Sequence, residues 1–118
     1  MPQRRTNPDF MTGVPELLVL RLLAEREMYG YELVQAIKES SGGVITAGEG
    51  VIYPVLHALE KQGCLAARRK PVNGRTRVYY AVTAAGRKRL EFMVGEWRRI
   101  TDAVAHIVKG ASSAVTSA

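Results

Sequence analysis

The sequence is poor in the side chains that do covalent and metal chemistry. It holds one cysteine, Cys64, and two histidines, His57 and His106, in 118 residues. A lone cysteine makes no intramolecular disulfide, which suits a reducing compartment and predicts a cytoplasmic protein. Cys64 stands among apolar neighbours at the head of an expected strand, the setting of a buried structural thiol. The two histidines fall in different expected helices with no cysteine pair beside them, so no metal and no cofactor is expected. No activated nucleophile, acid–base pair or glycine-rich phosphate loop can be assembled, which argues against an enzyme. Long apolar runs are lacking too. The longest aliphatic stretch is Leu17-Leu18-Val19-Leu20, ended by Arg21. That is far short of the roughly 20 residues that span a bilayer. Arg4 and Arg5 are not followed by an apolar segment, so the N-terminus does not read as a secretory signal, and no membrane partner is expected.

Acidic residues are missing from one place in particular. The chain carries 17 basic and 11 acidic side chains, for a net charge of +6. Eight of the bases lie between Arg68 and Arg89, where no acid occurs: Arg68, Arg69, Lys70, Arg75, Arg77, Arg87, Lys88 and Arg89. A local patch of one sign is the footprint of a polyanionic partner, either nucleic acid or an anionic surface. Length and composition fit one globular domain.

The order of elements sharpens this. Residues 1–9 are polar, and 1–12 read as a flexible arm. A first helix starts near Pro15, with Glu16 in its first turn, and is apolar on most sides. Met28-Tyr29-Gly30 reads as a break. A second helix runs from about Tyr31 to Glu39. Thr46 and Glu49 have capping-box spacing for a third helix, whose inner stripe is Val51, Ile52, Val55, Leu56 and Leu59. Gly63 stops it. Two short extended runs follow, at 64–69 and 77–82, around Pro71-Val72-Asn73-Gly74, where Asn-Gly is a hairpin signal. Thr83 is the expected N-cap of a long last helix reaching about Lys109. Its apolar residues Leu90, Met93, Trp97, Ile100, Val104 and Ile107 alternate at spacings of three and four, a heptad seam. Residues 110–118 read as a disordered tail.

The expected fold is mainly α (α+β). A winged helix-turn-helix spans 13–83, with a two-stranded wing, and a dimerisation helix spans 84–109. The third helix fits the DNA major groove, and the basic hairpin meets a neighbouring phosphate backbone. Candidate DNA-binding residues are Glu49, Gly50, Tyr53, Pro54, His57 and Lys61 on the helix, and Arg75 and Arg77 on the wing. No Arg, Asn or Gln lies in the first two helical turns, so readout leans on thymine methyls or DNA shape. The seam Leu90, Met93, Trp97, Ile100, Val104 and Ile107 needs a partner, and a second copy supplies one. A homodimer on double-stranded DNA would address a palindromic site. Two other readings stay open: a winged helix used for protein–protein contact, and a non-specific DNA coat.

Four stretches carry a family resemblance. They are Glu16-Leu17-Leu18-Val19-Leu20; Met28-Tyr29-Gly30-Tyr31-Glu32-Leu33; Gly50-Val51-Ile52-Tyr53-Pro54-Val55-Leu56-His57-Ala58-Leu59-Glu60-Lys61-Gln62-Gly63; and Gly74-Arg75-Thr76-Arg77-Val78-Tyr79-Tyr80-Ala81-Val82-Thr83-Ala84-Ala85-Gly86. In this order they resemble the PadR family of transcriptional regulators. The resemblance implies a dimeric winged helix-turn-helix, usually a repressor of efflux, stress or detoxification genes. It implies the short subgroup with a single C-terminal helix. Gly48 and Val51 stand where the family often has Ser or Thr, which removes hydroxyls that would touch phosphate. Some short members stack planar drugs on a Trp of the last helix. By that resemblance Trp97, with Met93 and Glu96, is the candidate site for a small aromatic or cationic effector; the residue-level alternative is that Trp97 is packed core.

Overall fold

The computed structural model describes residues 13–117, with side chains to residue 110. The element order is α1 Val14–Leu23, β1 Met28–Tyr29, α2 Gly30–Ser40, α3 Glu49–Lys61, β2 Leu65–Val72, β3 Arg75–Val82 and α4 Ala84–Ser117. The expected arm at 1–12 lies outside the described residues.

The core is built where three helices meet the sheet. Val19, Leu20 and Leu23 of α1, Leu33 and Ile37 of α2, and Ile52, Leu56 and Leu59 of α3 are buried together with Met28, Leu65 and Tyr80. Each such aliphatic side chain contributes about 1.5–3 kcal/mol by leaving water. Their spacing on α3, at four and three, is the helical period that marked this face in the sequence. The expected stripe was wider by Val51, which is instead 46% exposed. Cys64 is buried beside Leu65, as a structural thiol should be.

Local signals set several boundaries. Gly63 adopts φ 81°. There the Gly63 N–H donates to the Glu60 carbonyl at 3.0 Å and the Cys64 N–H to the Leu59 carbonyl at 2.9 Å, closing α3 in a Schellman turn. Asn73 (φ 50°) and Gly74 (φ 76°) form a two-residue hairpin turn. Thr83 caps α4: its Oγ1 accepts the Gly86 N–H at 3.1 Å and donates to the Gly63 carbonyl at 2.7 Å.

Four expectations are corrected. Met28-Tyr29-Gly30 is more than a break between helices. Met28 and Tyr29 pair antiparallel with Tyr80 and Tyr79, and Gly30 opens α2. The wing therefore belongs to a three-stranded sheet, ordered β1-β3-β2, rather than standing as two strands alone. The hairpin strands also run further than 64–69 and 77–82, because the ladder continues from Leu65↔Val82 to Val72↔Arg75. Thr46 does not cap α3. Gly48 holds that position with no side-chain bond, and its carbonyl accepts the Val51 and Ile52 N–H groups at 3.0 Å. Finally, α4 is assigned to Ser117 rather than ending at Lys109.

Candidate nucleic-acid interface

One side of α3 is closed by the core and the other is open. Glu49, Gly50, Val51, Pro54, His57, Ala58 and Lys61 are all exposed. Pro54 has no N–H for the Gly50 carbonyl four residues back. Both positions are exposed, so water or a ligand donor satisfies that oxygen. A Cβ built on Gly50 would meet nothing, so the surface here is thin and open. Val51, Pro54 and Ala58 make an apolar strip at helical spacing, a surface suited to thymine methyl groups. Glu49, His57 and Lys61 flank it with polar chemistry.

Tyr53 is placed differently from its neighbours. It is half-buried, and its ring tip lies where a Cβ on Gly30 would stand, 2.4 Å from Cζ and Oη. The ring locks the start of α2 against α3, and its centroid is 6.2 Å from that of His57. Packing is thus its visible role.

The wing carries the positive charge. In an antiparallel ladder directly opposed residues share a face. Lys70 with Arg77, Val72 with Arg75, and Arg68 with Tyr79 therefore lie on one face of the sheet, together with Tyr29. Tyr80, Leu65 and Met28 lie on the other, in the core. The Arg77 guanidinium sits over the Tyr29 ring at 4.2 Å, and Lys70 Nζ over the Tyr79 ring at 5.0 Å. The two rings meet edge to face, with centroids 5.4 Å apart.

The eight-base window is not uniformly positive in three dimensions. Glu27 pairs with Arg68, and Glu16 accepts a bond from Arg89 Nε at 2.5 Å. That bond holds the Arg89 guanidinium charged, above its ordinary value. These acids lie 41 and 73 residues away in sequence, so a window count missed them. Among the described residues no acid pairs with Arg69, Lys70, Arg75 or Arg77 on the wing, or with Arg87 and Lys88 at the head of α4, so the uncompensated charge lies on the wing and the start of α4. Tyr29 and Tyr79 were also missed as partners of wing cations. The register β1 imposes is the only signal that links them.

The seam on α4 divides in two. Leu90 and Met93 pack against the domain's own core, and Trp97 and Ile100 are half-buried. Val104 (48% exposed) and Ile107 (73%) are uncovered. Glu96 accepts a bond from Arg99 at 2.8 Å. No group of His, Cys, Asp and Glu among the described residues could hold a metal ion, and no described helix is long and apolar enough to cross a membrane.

Comparison with known proteins fits this geometry. The model of the transcriptional regulator PadR-like family matches residues 19–92. A transcriptional regulator of Mycobacterium tuberculosis, Rv3488, is 33% identical over 105 residues, covering 89% of this chain and 92% of that protein. The crystal structure of a PadR family transcriptional regulator from Eggerthella lenta superposes with a TM-score of 0.73 at 30% identity, over 81% of this chain and 82% of its own. A transcriptional regulator from Clostridium thermocellum superposes at 0.78 with 25% identity, over 88% and 99% of the two chains.

Proposed function

Because the chain belongs to the PadR-like family of transcriptional regulators, we propose that it acts as a homodimeric repressor on a palindromic operator. Members of this family are DNA-binding regulators and not enzymes. The observation that carries the reading is the open face of α3, backed by a closed core and followed directly by a cationic wing. A recognition helix supplies base contacts, and wing cations supply phosphate contacts that fix its register. Glu49, Gly50, Pro54, His57 and Lys61 line the first, with Tyr53 as their anchor. Arg75 and Arg77 lead the second. The uncovered half of α4 supports the dimer. Two copies joined there would present two α3 helices about 34 Å apart, one turn of duplex.

In the same reading Trp97 is the contact for a planar aromatic or cationic effector that releases DNA. Its half-buried side chain, one helical turn after Met93 on a helix whose later seam residues Val104 and Ile107 are exposed, supports this assignment. Glu96 enters such a site already bonded to Arg99.

The test is fluorescence anisotropy at physiological salt. It compares the duplex upstream of the protein's own gene with a scrambled duplex of equal length. A preference of about a thousandfold or more is expected. Equal affinity for both would favour a non-specific DNA coat, and binding to neither would favour a protein-contact module. Planar cationic dyes added to the complex should lower the anisotropy and quench Trp97 emission together.

A further inference from the structure

The outer face of the wing holds an arrangement that charge counting does not explain. Tyr29 is carried by β1, a strand of two residues. It pairs with Tyr79 in register, and the rings meet edge to face at 75°. Each ring bears one wing cation: Arg77 on Tyr29 at 4.2 Å, Lys70 on Tyr79 at 5.0 Å. Next along the same face, Arg68 is neutralised by Glu27. On this face the fold thus neutralises Arg68 and fastens the next cations, Lys70 and Arg77, to aromatic rings. Arg75, beside the turn, has no ring or acid contact among the described residues.

Lys and Arg are the side chains that lose most rotamer freedom when they are ordered. A cation fixed before binding avoids most of that loss on binding. A ring face attracts it through the quadrupole without neutralising it, unlike a carboxylate, so its charge remains available to a phosphate. The ring faces that carry cations are closed to a stacking base, so base stacking is not their role.

We propose that Tyr29 and Tyr79 are positioning residues of the wing, holding Arg77 and Lys70 ready for two phosphates of the DNA backbone. The proposal rests on the DNA-binding reading and says how its phosphate contacts are made.

The experiment measures binding of the full chain to a labelled mixed-sequence duplex across a salt series. Arg77→Ala should weaken binding and reduce the slope of log affinity against log salt by about one. Tyr29→Leu should weaken binding by about threefold to tenfold with the slope unchanged, because the charge is kept and only its order is lost. Tyr29→Phe, which keeps the ring face, should bind as wild type. Tyr29→Leu should add no further loss in an Arg77→Ala background, an outcome that a general folding defect does not give. Wild-type affinity in Tyr29→Leu, or full additivity with Arg77→Ala, would overturn the positioning role alone. Failure of the wild-type chain to bind any duplex would overturn the DNA reading as well. Should Tyr29→Leu not fold, Tyr29→Trp decides: a stronger ring face predicts binding at least as tight as wild type, and weaker binding by the folded variant contradicts the proposal.

Discussion

Three glycines give three different answers to the same substitution. At Gly86 an added Cβ would stand 2.1 Å from the Cys64 carbonyl oxygen, and backbone there has nowhere to go. At Gly30 it would stand 2.4 Å from the tip of the Tyr53 ring, which can tilt. At Gly95, inside α4, it would meet nothing. Overpacking typically destabilises by about 1–3 kcal/mol. Gly86→Ala is expected at or above the top of that range and Gly30→Ala near the bottom. Gly95→Ala should stabilise by about 0.5–1 kcal/mol, the usual helix preference for Ala over Gly. Urea denaturation of the three variants checks the order and the change of sign. Tyr80 gives a pH dependence. Burial first, then the nearby Glu60, pushes its hydroxyl above the ordinary 10.0. Folding therefore favours the neutral phenol. That stability is whole below about pH 10 and is lost as pH rises through the raised folded value. Tyr80→Phe should show a shallower loss of stability between neutral and strongly alkaline pH than the parent.

Among the elements, α4 makes the firmest demand. In its first half Leu90 and Met93 pack on the core while Phe92 stays exposed, and its second half leaves Val104, Ile107 and Val108 open. Ile100 sits at the changeover, half-buried. Ile100→Asp should convert a dimer to monomers in sedimentation velocity while leaving the helical circular-dichroism signal in place. An intact dimer would break the coiled-pair reading. The same elements show what sequence can disclose. Gly63, Asn73-Gly74 and Thr83 act on their immediate neighbours, so their turns and cap were legible without a fold. The strand β1 was not, because two residues carry no periodicity and only Tyr79 and Tyr80 give them a partner. The start of α3 was misplaced for a related reason. Thr46 and Glu49 had the right spacing, but the N-cap falls two residues later, at the extended Gly48, and the helix starts at Glu49.

For the whole molecule, the positive charge was legible and its fine distribution was not. A net +6 is a property of composition. Where it acts depends on Glu16 and Glu27, delivered from α1 and the segment before β1 to Arg89 and Arg68. The candidate recognition face was likewise legible as a stripe and its complement, while the role of Tyr53 against Gly30 needed the packing of α2 on α3.

The joint at the head of α4 has a mechanical meaning. Thr83 bonds to Gly63, at the end of α3, and Gly86 is pressed onto the backbone of Cys64. The helix is therefore clamped at one end to the element that ends the reading head. With 34 residues it is a lever arm about 50 Å long at 1.5 Å per residue. Whatever grips its far half and turns it by about 5° displaces the clamped end by about 4 Å, close to the rise of one base pair.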